Sequence, residues 1–355
     1  AGQGMAMNIL IVRMSSLGDI VQAIPVVADL LAHLPQAQID WVVEEAFAPL
    51  LTRVQGLRRV LPIAQRRWRK TPFAAATRAQ RKDFRRQLQA QRYDAVLDLQ
   101  GLVKSAWVAR QARLAPQGFR ATYGNASALC SWEWPVRYLL DRPVPMEPVL
   151  HAVQRPRLLA ARALGYTAAA LPRYLLQAQP LAAGDAIPAR SVVLVHGTTR
   201  PDNEWPLAHW ALLGAHLLAA GWQVALPQAS ESERARAQHI AQGIAAAQSA
   251  QTQPASAQAL PATAVQIWPR LGLPQVLDRL AASAGVIGID TGLSHLAVAL
   301  GLPHVQLFSQ PRIARAGPLP CPHQLAVGGD AAPSAEVVWQ AWQHVSAAHA
   351  VVQSA

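Results

Sequence analysis

Cysteine is nearly absent: Cys130 and Cys321 are the only two in 355 residues. A pair so far apart excludes a disulfide scaffold and points to a reducing compartment, with a single bridge the one alternative left open. Long apolar runs are missing as well. None reaches the ~18 residues a spanning helix needs, and Ile20 to Leu34 is broken by Pro25, Asp29 and His33. Nothing reads as a signal peptide, because the first apolar run is short and leads into a charged, patterned helix. Residues 1–6 (AGQGMA) read as extraneous, with Met7 the expected native start. No G-x-G-x-x-G follows a strand, which weakens a dinucleotide reading, and there is no P-loop and no Cys/His spacing for zinc. D-x-D does not occur, so the carboxylate pair that many sugar-nucleotide enzymes use for a divalent ion is missing. The expectation is no metal and no cofactor, with any bound diphosphate neutralised by helix N-termini and side chains.

Acids are scarce in one place above all. Residues 53–92 hold thirteen lysines and arginines against Asp83 alone, which equals the net charge of +12 for the whole chain. Such a patch expects an anionic partner: nucleic acid, lipid headgroups, or a substrate bearing phosphates and carboxylates. The plainer alternative is a solvated face. RRWRK (Arg66 to Lys70) argues against it, since its cations would offer bidentate donors beside a flat tryptophan.

What is present is a globular composition, 52% hydrophobic with 27 prolines and 21 glycines, at a length that suits two domains. Strands are expected at Ile9–Arg13, Ile39–Val43, Arg59–Pro62 and Ala95–Leu99. The helices between them are Ile20–Leu34, Phe73–Ala90, Val103–Leu114 and Pro148–Leu164. The alternation restarts at Ser191, with strands at Ser191–Val195, Gln223–Leu226, Val265–Trp268, Val286–Ile289 and Val305–Phe308 and helices at Leu207–Ala220, Glu231–Gln242, Pro274–Ser283 and Leu293–Leu300. Such alternation gives α/β architecture, with two parallel sheets each covered by helices on both faces. The expected layout is a domain over residues 7–165, a linker over 166–190, a second domain over 191–330, and a tail helix over 333–350 that could pack back on the first domain. Residues 245–263 read as a surface loop.

Three strand–turn–helix junctions carry the chemistry. In NILIVRMSSLGDIVQAIP, Ser15 to Gly18 form a small-residue turn at a strand exit, and Asp19 is its only ionisable group. Asp19 is therefore a candidate general base, against the alternative of a helix N-cap carboxylate. At Gly288-Ile289-Asp290-Thr291-Gly292-Leu293-Ser294-His295 a helix start offers backbone N–H groups to an anion, and His295 could donate to it as well. An Asp/Thr cap with His295 packed in the core is the plainer reading. His196-Gly197-Thr198-Thr199-Arg200 adds two hydroxyls and an arginine at another strand exit, and two such turns in one domain point to a diphosphate ligand.

Taken in order, MSSLGDIVQAIP, WVVEEAF, RRWRK, DLQGLVKSA, HAVQR, HGTTRPDNEWP and GIDTGLSHLAVALGLP resemble the lipopolysaccharide heptosyltransferases of glycosyltransferase family 9, over about Met7 to Phe308. RRWRK and WVVEE favour the heptosyltransferase I branch. The resemblance implies a GT-B fold, two Rossmann-like domains facing across a cleft. It also implies inverting transfer of L-glycero-D-manno-heptose from ADP-heptose to the Kdo of Kdo-lipid A. The enzyme would be a monomer, cytoplasmic and peripheral on the cytoplasmic face of the inner membrane, with no nucleic-acid partner.

Matched by motif, Asp19 is the base and Ser16 lines its turn on the donor side. Thr198, Thr199 and Arg200 meet the diphosphate, Glu231 the ribose, and Asp290, Thr291, Gly292 and His295 the ADP part of the donor. Asn203 stands where first heptosyltransferases often carry lysine, a contact Arg200 would have to replace. Arg66, Arg67, Arg69, Lys70 and Lys104 are expected to meet Kdo carboxylates and lipid A phosphates. The competing readings are a family member acting on a later core acceptor, a nucleic-acid-binding protein using the arginine patch, and a nucleotide-sugar sensor without catalysis.

Overall fold

The computed structural model describes residues 7–251 and 264–354, so the expected start at Met7 and most of the 245–263 loop lie at or beyond the edges of the described residues. Two units divide the chain, residues 1–177 and 178–355. In chain order the first contains β1 (Asn8–Val12), α1 (Leu17–Ala23), α2 (Pro25–His33), β2 (Gln38–Glu44), α3 (Ala48–Leu51), β3 (Leu57–Ile63), α4 (Gln65–Trp68) and α5 (Ala75–Leu88). It continues with β4 (Arg92–Asp98), α6 (Val103–Gln111), β5 (Arg113–Tyr123), α7 (Val136–Leu139), β6 (Arg142–Val144) and α8 (Gln154–Leu164). The second contains β7 (Ser191–Val195), α9 (Leu207–Ala219), β8 (Gln223–Leu226), α10 (Glu231–Gln251), β9 (Val265–Ile267), α11 (Leu273–Ala281), β10 (Gly285–Ile289), α12 (Gly292–Ala299), β11 (His304–Phe308), α13 (Ile313–Ala316), β12 (Gln324–Gly328) and α14 (Ala335–Ser354).

Each unit is built on a six-stranded sheet, β3-β2-β1-β4-β5-β6 in the first and β12-β11-β10-β7-β8-β9 in the second. All pairings between these strands are parallel. Counted from its own first strand, each sheet has the same doubly wound order, and the order reverses beside β1 and beside β7. Alternation along the strands feeds both faces. Ile9 and Ile11 join a core with Ile20, Val26 and Leu159, whereas Leu10 and Val12 join one with Trp68, Phe84, Ala106 and Val136. Thus α1, α2 and α8 cover one face of the first sheet, and α4 to α7 the other.

Several elements differ from the sequence reading. β5 was missed because Pro116, Gln117 and Gly118 interrupt its pattern and its pairing with β4 shifts register between Tyr93 and Ala95. It also takes over the end of the helix expected over Val103–Leu114, which stops at Gln111. β6 is three residues with Pro143, and β3 carries Pro62. Both are edge strands, where a missing N–H costs no ladder bond. α10 runs on to Gln251, through residues expected to be loop. In the tail helix, α14, Val338, Ala341, Trp342 and Val345 are buried in the core of the second unit. The two cysteines are free.

The expected linker is divided between the units. Its first part is fixed to unit one: Gln55 N donates to Leu175 O at 2.8 Å and Gln177 N to Arg53 O at 2.9 Å. Its second part is fixed to unit two, with Gln179 N on Asp278 Oδ1 at 2.6 Å and Arg279 on Asp185 at 2.9 Å. Arg157 of α8 organises the first part. It is fully buried, clamps Asp29 of α2 through two bonds of 2.7 and 2.9 Å, and donates to Ala169 O at 2.7 Å. Removing one member leaves the other's charge buried and unpaired, which costs about 3–5 kcal/mol, while replacing both by apolar groups does not. Asp29→Ala is therefore expected to lower the unfolding free energy by about that amount in urea titration, and Asp29→Leu with Arg157→Met to recover most of it. Equal losses in both variants would show that the pair itself, not the orphaned charge, sets the cost.

Candidate active site

In open α/β sheets, ligands gather outside the carboxyl ends of the strands where strand order reverses. In the first unit that place lies between β1 and β4. Arg13 and Met14 continue β1, and a turn leads to Ser16, the N-cap of α1. Asp19 sits at the third helical position. Its Oδ2 accepts from the Ser16 amide at 3.1 Å and the Ser16 hydroxyl at 2.8 Å, and its Oδ1 pairs with Arg13 Nη2 at 2.8 Å. Its carboxylate remains 28% exposed. The N-cap is thus Ser16 and not Asp19, which caps reciprocally from the third helical position while its carboxylate stays open to solvent. Arg13 was the residue missed: it stands at a strand end, outside the turn where Asp19 is alone, and folding brings it onto the carboxylate.

The β4 exit is tied to the same turn. Met14 N donates to Gln100 Oε1 at 2.9 Å and Arg13 Nη1 to Leu99 O at 2.5 Å. Buried Asp98 shapes this exit by accepting from Gln100 N at 3.1 Å, Gly101 N at 3.3 Å and Thr122 Oγ1 at 3.1 Å. Gly101 has φ +72°, a conformation glycine adopts freely, and an added Cβ would meet the Tyr123 ring at 2.8 Å. Lys104, exposed, follows in the first turn of α6. A second missed residue lies close by. Arg155, in the HAVQR segment, is buried, stacks on the Tyr123 ring at 3.6 Å, and leaves Nε and Nη2 without a partner. Unpaired buried guanidinium nitrogens are costly unless an anion meets them.

RRWRK departs from expectation. Trp68 is buried against Phe84, and its Nε1 donates to Gln80 Oε1 at 2.8 Å, so it presents no flat surface to a ligand. The four cations around it are exposed. Arg67 is engaged by Glu45 at 2.9 Å, which also holds the Glu45 carboxyl below its ordinary value. Buried Glu44 anchors the segment by accepting from Arg66 N at 2.9 Å, and burial pushes its own pKa up. Not all of the basic run faces solvent. Arg58 and Arg59 clamp Asp40 at 2.8 and 2.5 Å, with Tyr93 as a further donor to that buried carboxylate at 2.8 Å.

The second unit repeats the plan between β7 and β10. Thr198 Oγ1 accepts from Arg200 N at 3.0 Å, and Arg200 pairs with Asp202 at 2.6 Å. Asn203 Nδ2 donates to Asp290 O at 3.1 Å, joining the two turns. Asn203 is therefore a brace between them. Thr291 caps α12, and its buried hydroxyl finds no partner. The Asp290 carboxylate accepts from Gln306 Nε2 at 3.1 Å and faces His295 Nε2 at 3.2 Å. His295 is thus buried beside Asp290, and Gly292 opens the helix behind it. Close approach explains Gly288, where a Cβ would meet Ser294 Oγ at 2.5 Å.

The two glutamates at the start of α10 face differently. Glu231 pairs with Arg234 at 2.7 Å and its side chain is 78% exposed. Glu233 instead accepts from Ala229 N at 2.7 Å and lies against Gly197, where an added Cβ would come within 2.8 Å of its carboxylate. The helix start fixes this register, which residue type alone cannot reveal. Among the described residues no group of three or more His, Cys, Asp or Glu side chains could hold a metal ion, and no helix is long and apolar enough to cross a membrane.

The sequence model of "Glycosyltransferase family 9 (heptosyltransferase)" matches residues 81–340. The chain is 36% identical over 312 residues to lipopolysaccharide heptosyltransferase 1 of Escherichia coli K12, covering 85% of this chain and 88% of that protein. It is 36% identical over 307 residues to the Pseudomonas aeruginosa protein of the same name, covering 85% and 78%. Among solved structures, E. coli heptosyltransferase WaaC with ADP superposes at a TM-score of 0.78 with 32% identity, covering 94% of this chain and 98% of that one. E. coli ADP-heptose LPS heptosyltransferase II shares the fold at 0.71 and 21% identity, covering 96% and 99%.

Two histidines of the second unit give a pH dependence. Burial pulls the pKa of His196 down to about 4, with Arg236 adding to the effect, and burial does the same to His304, also to about 4. His304 donates its Nδ1 proton to Val286 O at 2.9 Å. The unfolded chain takes up these protons near the ordinary value of 6.5, the folded chain only near 4. Their contribution is whole above the unfolded value and is lost as pH falls between the two. Thermal melts should therefore show stability falling over that window, and His304→Gln should make the fall shallower. Parallel profiles for wild type and variant would exclude His304 as a source.

Proposed function

This chain belongs to glycosyltransferase family 9, the heptosyltransferases, and on that premise we propose that it transfers heptose from ADP-heptose to the Kdo sugar of Kdo-lipid A in building the lipopolysaccharide inner core. Transfer inverts the anomeric centre and uses no metal. The observation that carries this reading is the solvent-open Asp19 carboxylate at one switch point, set against paired anion-type turns at the other. The ADP in the WaaC relative and the names of the curated relatives support an ADP-linked heptose donor and a lipopolysaccharide acceptor.

Asp19 takes the proton from the attacking Kdo hydroxyl as that oxygen reaches the anomeric carbon of heptose. Arg13 and Ser16 hold the carboxylate in place. Lys104, Arg155, Arg66, Arg69 and Lys70 meet the acceptor's carboxylates and phosphates, and Arg67 joins them by exchanging Glu45 for an anion. In the second unit the leaving diphosphate meets the N–H groups at the start of α12 and the hydroxyls of Thr291, Thr198 and Thr199. Arg200 exchanges Asp202 for phosphate and does the work of the absent lysine. A carboxylate repels phosphate, so Asp290, oriented by His295 and Gln306, serves sugar hydroxyls. Glu233, not Glu231, accepts from the ribose. The absence of D-x-D supports metal independence, since helix N-termini and hydroxyls supply the neutralisation. The lipid acceptor brings the enzyme, as a monomer, to the cytoplasmic face of the inner membrane.

The test is ADP release from ADP-heptose and deacylated Kdo-lipid A in excess EDTA. Activity only with an acceptor that already bears heptose would move the enzyme to a later core step. Asp19→Asn is expected to slow transfer by ~10²–10⁴ while ADP still binds. Wild-type turnover in that variant would return Asp19 to helix capping. Calorimetric titration with ADP separates the two glutamates: Glu233→Ala should weaken binding about tenfold, the cost of one hydrogen bond to a charged group, and Glu231→Ala should leave it unchanged. The reverse pattern would restore Glu231 to the ribose.

A further inference from the structure

We propose that the outer face of the α5–α6–α7 layer is a docking surface for an anionic lipid bilayer. The proposal deepens the membrane contact of the reading above and rests on it for the lipid nature of the acceptor. Four aromatic side chains are exposed among the described residues: Phe73, Trp107, Trp134 and Tyr138. All four belong to this one layer or to the loops that feed it. α6 buries Ser105, Ala106, Val108 and Ala109 and turns Val103, Lys104, Trp107 and Arg110 outward. Val103 and Lys104 stand four and three residues before Trp107, and Arg110 three after it, so they form one stripe. Trp107 is 62% exposed on it.

α7 is fastened to α6 by Arg110 Nη1, which donates to Leu139 O at 2.8 Å. It brings Trp134 and Tyr138, 66% and 70% exposed, with ring centroids 6.0 Å apart and Arg137 over the tyrosine at 5.3 Å. On the other flank Gln89, the C-cap of α5, donates to Gln111 O of α6 at 2.9 Å. α5 shows Arg78, Arg81, Lys82, Arg85 and Arg86 against the single acid Asp83.

Exposed tryptophan and tyrosine interleaved with cations match the chemistry of a membrane–water interface. There the rings sit at headgroup level and each nearby Lys or Arg gains from the negative surface potential. Charge complementarity thus selects anionic lipid over zwitterionic lipid. Single-stranded nucleic acid uses aromatics too, but as stacking platforms along a charged groove. These rings stand on outward helix faces.

Vesicle flotation tests the surface. The wild-type protein should float with phosphatidylglycerol–phosphatidylethanolamine vesicles, less so in high salt, and far less with phosphatidylcholine. The triple variant Trp107→Ser, Trp134→Ser, Tyr138→Ser should partition at least tenfold more weakly, and Arg85→Gln with Arg86→Gln should weaken binding to anionic vesicles alone. Cooperative thermal melts and far-ultraviolet circular dichroism matching the wild type verify that each variant is folded. Turnover on the deacylated, water-soluble acceptor should be unchanged in the triple variant and should fall on acceptor held in vesicles. Absent flotation of the wild type, or equal flotation of the triple variant, overturns the proposal. Retention on DNA with no flotation overturns it in favour of nucleic acid. Loss of the wild-type reaction on the soluble acceptor overturns the heptosyl-transfer reading, whatever the vesicles show.

Discussion

Everything functional in this protein depends on one constraint of parallel sheets: successive crossovers must leave the sheet on opposite faces where the strand order reverses. Between β1 and β4, and again between β7 and β10, the helices diverge and leave the strand exits uncovered. Backbone there lacks a ladder partner and must be satisfied by side chains. The two units solve this alike. Gln100 accepts from Met14 N across the first gap, and Asn203 donates to Asp290 O across the second. An amide side chain braces each pair of exits, and the candidate chemistry stands on the braced turns.

Charge is apportioned by burial. Thirteen cations between residues 53 and 92 read as one patch in the sequence, but the fold divides them by what they meet. Arg58 and Arg59 offset the burial of Asp40, which would otherwise raise its pKa, and together with Tyr93 they bring it below the ordinary value. Arg67 meets Glu45, and others stand open to solvent. The opposite bookkeeping holds for Arg155, whose burial is complete but whose nitrogens are only partly met. A scarce set of acids thus decides which arginines are structural and which await an anion.

The two faces of the first sheet show a matching division. The layer containing α2 and α8 is closed by the Asp29–Arg157 pair, which also fixes the chain leaving the unit. The layer containing α5, α6 and α7 closes its inner side on Phe84, Ala106 and Val136 and carries its aromatics outward. Inner faces follow the hydrophobic pattern. The outward tryptophan of α6 does not, and that departure makes the face informative.

The sequence by itself determined the architecture and the place of the three candidate turns. Apolar runs of four to six residues alternating with amphipathic stretches allow only a parallel sheet between helices, and Ser16 to Asp19, Thr198 to Arg200 and Asp290 to His295 occupy strand exits in that reading and in the structure alike. Local spacing was enough because strand, turn and helix are all short-range. Only tertiary structure decided the rest, because it concerns groups far apart in sequence. It brought Leu99 to Arg13 and Arg155 to Tyr123. It set Glu233 rather than Glu231 against Gly197, buried Trp68 within RRWRK, and left Trp107 outside. It also paired β5 despite the proline and glycine that hide it. A residue's type states what it can bond, and only the packed chain states what stands within reach.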